Sequence, residues 1–449
     1  MPRLAPSVFR RAGRISPHLA TLLPSCRTIE AAQREQRWIR RHVLDTSPSE
    51  LRGDVFPSRN GKGGGGDRVH PHSARIRARW KSSANSRSDT RSRLDAAEDT
   101  IARLVARRGA GEPLQYVLGT QPFGDLEILC TKGVLIPRPE TEAWASMLAD
   151  LMLSPPLSPD RTGVKDEEEL HILDLCSGTG CIGLSLYVRG MATKGTAVRV
   201  SGFDVEPRAV RLARRNLLHN FREPGLTLQD RGHGGAVAFR QADIFAEEWM
   251  ADLDDAGSHQ GEGQGQRPRR IDVLVSNPPY ISQRGFDVDT GRSVRNYEPR
   301  IALVPARASS LPSHAVDWTC APEDIFHARL LDIAVVLRPR IAAFEVGDMR
   351  QAVRVVEMAM ARSRPRHIDG SRERTEDEQA VARWDILEIW RDWPDCQPLD
   401  AENDAVLVCG REVPVRGSGH GRVVFLAEGQ MMWNRFTNRG FKRQLYAGP

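Results

Sequence analysis

His171-Ile172-Leu173-Asp174-Leu175-Cys176-Ser177-Gly178-Thr179-Gly180-Cys181 reads as a short apolar strand running into a glycine turn, and Ile182 to Val188 continue it with the spacing of a helix. The glycines let backbone approach a ligand closely, and a helix that starts here offers free N–H groups at its first turn. Roughly twenty residues on, a second apolar run ends in Phe203-Asp204, where a carboxylate can accept both hydroxyls of a ribose. Strand, glycine turn, helix and acid-tipped strand are the parts with which a doubly wound α/β sheet holds a nucleoside-bearing cofactor.

Gly178-Thr179-Gly180-Cys181-Ile182-Gly183 also matches the G-x-G-x-x-G fingerprint of dinucleotide-binding proteins, where an acid at this spacing is expected as well. The remaining strand ends separate the two readings. Asp174 stands before the turn, Asp204 after the second strand, Gln241-Ala242-Asp243-Ile244 after a third, and Asn277-Pro278-Pro279-Tyr280 after a fourth apolar run, Ile271 to Val275. Open α/β sheets bind ligands at the carboxyl ends of their strands, so the four should converge on one crevice. That combination favours S-adenosylmethionine over a nicotinamide cofactor, which leaves Asn277 to Tyr280 without a role.

The fourth strand end has its own chemistry. Asn277 precedes a proline and is pushed toward extended backbone, while Pro278 and Pro279 fix φ and present carbonyls only. The Asn277 side-chain oxygen and a proline carbonyl can accept the two hydrogens of one NH2 group, and the Tyr280 ring can lie against its flat face. Read alone, the same four residues are also a plain turn that ends a strand.

Taken together these motifs make the chain similar to the HemK-like (PrmC-type) glutamine N5-methyltransferases of peptide chain release factors. Further stretches resemble that family: Leu114-Gln115-Tyr116-Val117-Leu118-Gly119 with Phe123, Leu135-Ile136-Pro137-Arg138-Pro139-Glu140-Thr141-Glu142, Tyr297-Glu298-Pro299-Arg300 with Ala302-Leu303, and Glu345-Val346-Gly347-Asp348-Met349-Arg350-Gln351. The ordered match covers about residues 112–355, with weaker likeness from Cys26 to Val43 and from Trp384 to Phe425. The resemblance implies a Rossmann-like class I S-adenosylmethionine-dependent methyltransferase sheet with a small N-terminal helical domain. It implies that Cys176, Ser177, Gly178, Thr179 and Gly180 form the cofactor loop, that Asp204 holds the ribose, and that Asp243 and Ile244 border the adenine. Asn277, Pro278, Pro279 and Tyr280 would hold the glutamine amide, and Phe123 with the Pro137-Arg138-Pro139 turn would close the cleft. The partner it implies is a release factor with a Gly-Gly-Gln loop, contacted in part by the helical domain. Two departures stand out: Cys176-Ser177 where the family often has Gly-Thr, and Val304-Pro305-Ala306-Arg307-Ala308-Ser309-Ser310 where it has a glycine-rich run.

Composition fits this reading. The chain has 449 residues, enough for a catalytic domain and a smaller one without covalent staples. Its seven cysteines are scattered, with no C-x-x-C pair, which argues against a disulfide framework or a zinc site; no metal is expected. No run approaches the roughly 18 apolar residues of a membrane helix. Charge is uneven: residues 1–100 hold 20 Lys+Arg against 10 Asp+Glu, and the remaining 349 hold 44 against 48. The first acid is Glu30, with Arg3, Arg10, Arg11 and Arg14 before it among Ser, Ala and Leu, the composition of a mitochondrial transit peptide. An ordinary basic tail, or one drawn to RNA, has the same composition.

The expected organisation is therefore a mitochondrial targeting segment over 1–24, a helical domain over 25–110 interrupted by a Ser/Gly/Arg-rich disordered insertion at 47–92, a connecting hairpin at 111–135, and a catalytic domain over 136–449. Strands are expected near 170–175, 197–203, 236–241, 271–276, 341–346, 385–390 and 421–426, and polar insertions near 257–270 and 363–378. The expected reaction is direct methyl transfer from S-adenosylmethionine to a glutamine side-chain nitrogen. The alternative is an adenine N6-methyltransferase acting on DNA or RNA, since an exocyclic NH2 presents similar hydrogens. An acidic catalytic half with no Lys/Arg stripe near the motifs counts against a nucleic-acid groove, and no direct nucleic-acid substrate is expected.

Overall fold

The computed structural model describes residues 4–45, 87–152, 169–192, 197–221, 237–251, 253, 271–305, 320–363 and 384–428. The chain divides into two compact units, one of residues 1–119 with Arg292–Tyr297, the other of 120–291 with 298–449.

The first unit is helical: α1 (Pro6–Ile15), α2 (Pro17–Cys26), α3 (Ile29–Asp45), α4 (Arg87–Gly109) and α5 (Leu114–Leu118). Leu19, Leu22 and Leu23 of α2 recur at helical spacing and bury one face at 1%, 0% and 0% exposure. They pack with Ala12 of α1, Ile39 and Val43 of α3, and Ile101, Leu104 and Val105 of α4. Gly109 marks where α4 crosses α2, because a Cβ there would stand 2.4 Å from the Thr21 carbonyl oxygen. Arg108 joins α4 to α3 through Glu35, with Nε at 2.6 Å, and the Ser25 hydroxyl donates to the Arg108 carbonyl at 2.7 Å. Arg292–Tyr297 belongs to the same unit: the Ser293 hydroxyl donates to the Gly111 carbonyl at 2.6 Å.

Two expectations change here. Within residues 1–24, assigned from composition to the targeting segment, Ala12, Leu19, Leu22 and Leu23 are part of the helical core. Residues 87–92, assigned to the disordered insertion, form the start of α4, while 46–86 lie outside the described residues. The insertions expected at 257–270 and 363–378 also lie outside them, save Ser363.

The second unit opens with an antiparallel hairpin, β1 (Thr120–Phe123) and β2 (Leu126–Leu129), followed by α6 (Pro139–Met152). A nine-stranded sheet follows: β3 (Glu169–Leu175), β4 (Ala197–Asp204), β5 (Val237–Gln241), β6 (Val273–Ser276), β7 (Ile341–Glu345), β8 (Ile386–Trp393), β9 (Ala405–Val408), β10 (Arg411–Arg416) and β11 (Ser418–Ala427), in the spatial order β5-β4-β3-β6-β7-β11-β8-β10-β9. The first five strands are parallel, and β11 runs antiparallel between β7 and β8. Helices α7 (Cys181–Ala192), α8 (Pro207–Asn220), α9 (Gln283–Val288), α11 (Ile325–Leu337) and α12 (Met349–Arg362) complete the unit, Arg292–Tyr297 being α10.

Alternation along the strands divides the core between the two faces. Ile172, Val273, Val275, Ile341, Ala343, Val423 and Phe425 share one cluster with Trp144, Leu148, Leu184 and Val210 of α6 to α8. Leu173, Leu274, Ala342, Phe344, Val424 and Leu426 share the other with Leu330, Leu331 and Val355 of α11 and α12. Every residue of β6 and β7 is buried, and each strand is a continuous apolar run up to its polar last residue, Ser276 or Glu345.

All seven expected strands are present, and the sheet adds β9 and β10. Pro414 breaks the strand pattern of β10, and the link between them, Cys409-Gly410, turns with φ of 48° and 78°, which no Asn-Gly or Asp-Gly pair advertises.

Leu22→Ala should destabilise the helical unit by about 2–5 kcal/mol, since it opens a cavity in a packed core. Hydrogen exchange of the α2 to α4 amides checks this; unchanged protection would remove α2 from the core.

Candidate active site

Order along the sheet fixes where a ligand can enter. Successive strands step outward from β3 through β4 to β5 on one side, and from β6 to β7 on the other, so the order reverses between β3 and β6. Register then aligns the strand tips: Leu175 stands opposite Phe203 and Ser276, and Ser276 opposite Phe344. The residues just past that row, Cys176, Asp204, Asn277 and Glu345, are therefore neighbours although they are spread over 170 positions of sequence. The Ser276 hydroxyl donates to the Leu175 carbonyl at 2.7 Å and pins the two central tips together.

A cavity of about 210 Å³ opens there, wholly within the second unit. Cys176, Ser177, Gly178 and Thr179 form one wall, Asp204 and Glu206 the next, and Ala242, Asp243 and Ile244 a third. Asn277 and Pro279 also line it, next to the β3 loop, as do Gly133 to Arg138 and Thr141.

The loop after β3 is held by its own backbone. The Ser177 N–H donates to the Phe203 carbonyl at 3.0 Å and the Gly180 N–H to the Ser177 carbonyl at 2.7 Å. Gly180 has φ of 78°, and a Cβ on it would meet the Phe239 ring at 2.7 Å, so only glycine fits. Cys176 takes φ of 58°, a left-handed conformation that β-carbons disfavour. The departure from a family glycine at this position is thus a backbone matter as well as one of contacts.

Asp204 binds the loop from outside: its Oδ2 accepts from the Gly178 N–H at 2.8 Å and its Oδ1 from the Glu206 N–H at 2.9 Å. Burial pushes this carboxyl above its ordinary value while the two N–H donors pull it down. Asp243 is anchored alike, accepting from the Phe245 N–H at 2.9 Å. Ser177 Oγ is buried without a partner among the described residues and belongs to the cavity wall. Two anchored carboxylates, an orphaned hydroxyl and apolar walls from Val134, Ile244, Phe245 and Phe326 suit a nucleoside with a polar tail.

Asn277 lies half-buried at the tip of β6, its Nδ2 donating to Thr141 Oγ1 at 3.4 Å. Glu345, at the tip of β7, accepts from the Thr141 hydroxyl at 2.6 Å and the Trp144 indole at 2.9 Å on Oε2, and from the Tyr280 hydroxyl at 3.0 Å on Oε1. Burial pushes the Glu345 carboxyl up, against the pull of the Thr141 and Trp144 donors and the Arg422 charge. Burial likewise keeps the Tyr280 phenol protonated. On the rim, Glu298 accepts from the Ile136 N–H at 3.1 Å and pairs with Arg138 at 2.7 Å, fixing the turn that leads into α6.

The expected site residues divide accordingly. Cys176, Ser177, Gly178, Thr179, Asp204, Asp243, Ile244, Asn277, Pro279 and Arg138 all line the cavity. Gly180 shapes the loop, and Pro278 is buried beneath. Tyr280 points its hydroxyl to Glu345 and packs its ring toward Gly347, where a Cβ would meet it at 3.2 Å. Phe123 is not in the wall; it is a core residue of the hairpin packed with Leu126, Ile128 and Trp144. Asp174 is not in it either, being fully buried behind the loop. Sequence reasoning gave no site role to Thr141, although it lies in the stretch Leu135 to Glu142, nor to Glu206, Phe245 and Phe326, which lie in no motif.

No family model matches the chain. Among curated proteins it is similar to the mitochondrial MRF1 N(5)-glutamine methyltransferase MTQ1 of Saccharomyces cerevisiae, at 31% identity over 304 residues, covering 68% of either chain. It is also similar to the probable MRF1 mitochondrial N(5)-glutamine methyltransferase of Schizosaccharomyces pombe, at 35% over 208 residues, 45% of this chain and 55% of that one. The release factor glutamine methyltransferase of Vibrio cholerae matches at 33% over 207 residues, 46% of this chain and 55% of that one. The chain thus spans about two thirds of the first relative and just over half of the other two.

Asp174 gives the loop a pH dependence. Its Oδ2 accepts from the Gly183 N–H at 3.1 Å at the start of α7, its Oδ1 has no partner among the described residues, and burial with Asp204 nearby pushes its carboxyl up to about 7. A carboxyl raised by folding favours the protonated fold, so its contribution is full below the ordinary value of 3.8 and is lost as pH climbs to about 7. Asp174→Asn stays neutral and still accepts from Gly183. The variant should gain on the wild type, by several degrees of melting temperature, as the cofactor-free proteins are taken from pH 5 to pH 8; a constant difference would refute the assignment.

Proposed function

The chain belongs to the family of release factor glutamine N5-methyltransferases, and we propose that it uses the cavity at the tips of β3 to β6 to methylate the side-chain nitrogen of a release factor glutamine. The observation that carries the reading is the placement of Asp204 and Asn277 on either side of the β3 loop, one suited to a ribose and the other to an NH2 group. When bound, S-adenosylmethionine supplies an electrophilic methyl group. Asp204 would take its ribose hydroxyls on the lone pairs that Gly178 and Glu206 leave open, and Ser177 Oγ would find a partner in its polar tail. Asp243, Ile244 and Phe245 would border the adenine.

The chemical difficulty lies on the acceptor side. An amide nitrogen is a poor nucleophile, because its lone pair is delocalised into the carbonyl. Asn277 Oδ1 accepts one N–H of the substrate amide, turns the nitrogen into the cavity and favours the positive charge that grows there as the nitrogen gains a carbon and sheds a proton. Pro278 and Pro279 hold Asn277 extended at the strand tip, and Tyr280 locks the turn against Glu345. The relatives are named for protein glutamine, so the adenine alternative is not favoured.

We assign the chain to mitochondria, on the names of the two fungal relatives and the exposed Arg10, Arg11 and Arg14 of α1. The partner is then a mitochondrial release factor.

Asn277→Ala should lower turnover by roughly a hundredfold or more while cofactor affinity stays near normal, the magnitude typical of removing one preorganised hydrogen-bonding group. Asp204→Ala should weaken cofactor binding by roughly tenfold or more, since it removes a charged acceptor. Calorimetry separates the two, and loss of cofactor binding in Asn277→Ala overturns the division. The activity itself is checked by mass spectrometry of candidate release factors after incubation with labelled cofactor. A label absent from every glutamine, or found on a nucleic acid, defeats the proposal.

A further inference from the structure

Four donors and acceptors form a chain that runs from the buried core to the cavity wall, and its direction is set at the buried end. Glu345 sits at the tip of β7 at 1% exposure, Thr141 and Trp144 on the first turns of α6 at 2% and 0%. An indole N–H can only donate, so Trp144 makes Glu345 Oε2 an acceptor. The Thr141 hydroxyl, 2.6 Å from the same oxygen, spends its single hydrogen on the carboxylate. Thr141 Oγ1 then has only lone pairs left for its other neighbour, Asn277, at 3.4 Å. The side of the Asn277 amide that meets Thr141 must therefore be the NH2, and the side left for the cavity must be Oδ1.

We propose that Thr141 and Glu345 act as positioning residues that lock the Asn277 carboxamide with its oxygen toward the substrate, and thereby make the site select a glutamine amide over a glutamate carboxylate. This rests on the functional reading above. With Oδ1 facing outward the site offers an acceptor, which suits an NH2 group and opposes a carboxylate oxygen. With the amide reversed it would offer two N–H donors, which suit a carboxylate and oppose the NH2. Nothing in the volume of Asn277 distinguishes the two orientations, since they are almost the same shape; only the partner behind it does. A site with a fixed hydrogen-bonding pattern rejects the mismatched isostere because a buried polar group is left facing its own kind. Tyr280 completes the clamp on Glu345 from the opposite side through Oε1, with Arg422 Nη1 3.5 Å from its hydroxyl, so the carboxylate cannot swing away from Thr141.

The experiment uses the full chain, with Thr141→Val to remove the relay and Thr141→Ser to keep it. Two readings are taken on each. The first needs no substrate: the side-chain NH2 of Asn277, followed by nitrogen-labelled NMR, should be slow to exchange in the wild type and in Thr141→Ser, and should exchange at least tenfold faster in Thr141→Val. The second compares affinity for a release factor domain carrying Gly-Gly-Gln with that for its Gly-Gly-Glu counterpart. The preference for Gln should fall by tenfold or more in Thr141→Val and stay within about twofold of the wild type in Thr141→Ser, a contrast worth roughly 1.4 kcal/mol per tenfold. A merely structural lesion would lower both affinities together and leave their ratio intact. An unaltered ratio, or an Asn277 NH2 that exchanges equally in all three proteins, overturns the proposal. If the wild type binds neither domain while the Asn277 resonance behaves as expected, the lock stands and the substrate reading is what fails.

Discussion

One constraint underlies the site: the parallel register that brings Leu175, Phe203, Ser276 and Phe344 into a single row at the tips of four strands. Cys176, Asp204, Asn277 and Glu345 each lie one position beyond that row, so the spacing between these four is set by hydrogen bonds of the sheet and not by the loops. A strand separation of about 4.8 Å puts groups on adjacent tips within reach of one small ligand, and groups two strands apart on its opposite ends. Helices on both faces make this register hard to shift. A slip of one residue would turn the clusters built on Leu173 and Leu274, and on Ile172 and Val273, to the wrong helices at once.

Buried polar groups supply the second level of order. Glu345 collects three side-chain donors, and the charge is tolerable because each oxygen is matched. Asp174 shows the opposite case, with one oxygen bound to Gly183 and the other unmatched, and it answers by holding its proton to about pH 7. Two buried carboxyls of the same sheet, on β3 and β7, thus play different parts for a reason visible in their partners. Glu345 is a scaffold around which Asn277 and Tyr280 are arranged; Asp174 is a wedge beneath the helix that follows the glycine turn, protonated on the acid side of about pH 7.

Much of this was legible in the sequence. The seven central strands, the glycine turn and the carboxylates Asp204 and Asp243 were readable because each is tied to a local pattern: an apolar run, a pair of glycines, an acid at a strand end. What escaped depends on distant partners. Phe123 sits in a motif yet serves the hairpin core, since nothing local tells an aromatic in a wall from one packed on Trp144. Asp174 looked like a ligand because it ends a strand, and the direction of its side chain, toward α7, is decided by the α7 backbone it supports. Thr141 lies in a stretch that resembles the family, yet nothing local in that stretch reveals its partners Glu345 and Asn277, which stand on distant strands. Residues 17–24 were assigned by charge, which reports on composition and is silent about the leucines that share those positions.

The β3 loop joins these levels in one acid. Left-handed backbone at Cys176 costs about 1–2 kcal/mol relative to glycine, a strain that has to be offset nearby. The offsets visible in the structure are the Ser177 N–H on the Phe203 carbonyl and the Gly178 N–H on Asp204, both reaching from the loop to the tip of β4. The second of these spends one lone pair of the carboxylate that is also suited to a ribose. Asp204 therefore cannot be treated as a ligand group alone. A larger side chain than glycine at position 176 makes the loop lean more heavily on that bond, so the geometry of the cofactor site and the tolerance of the loop for cysteine are set by the same carboxylate.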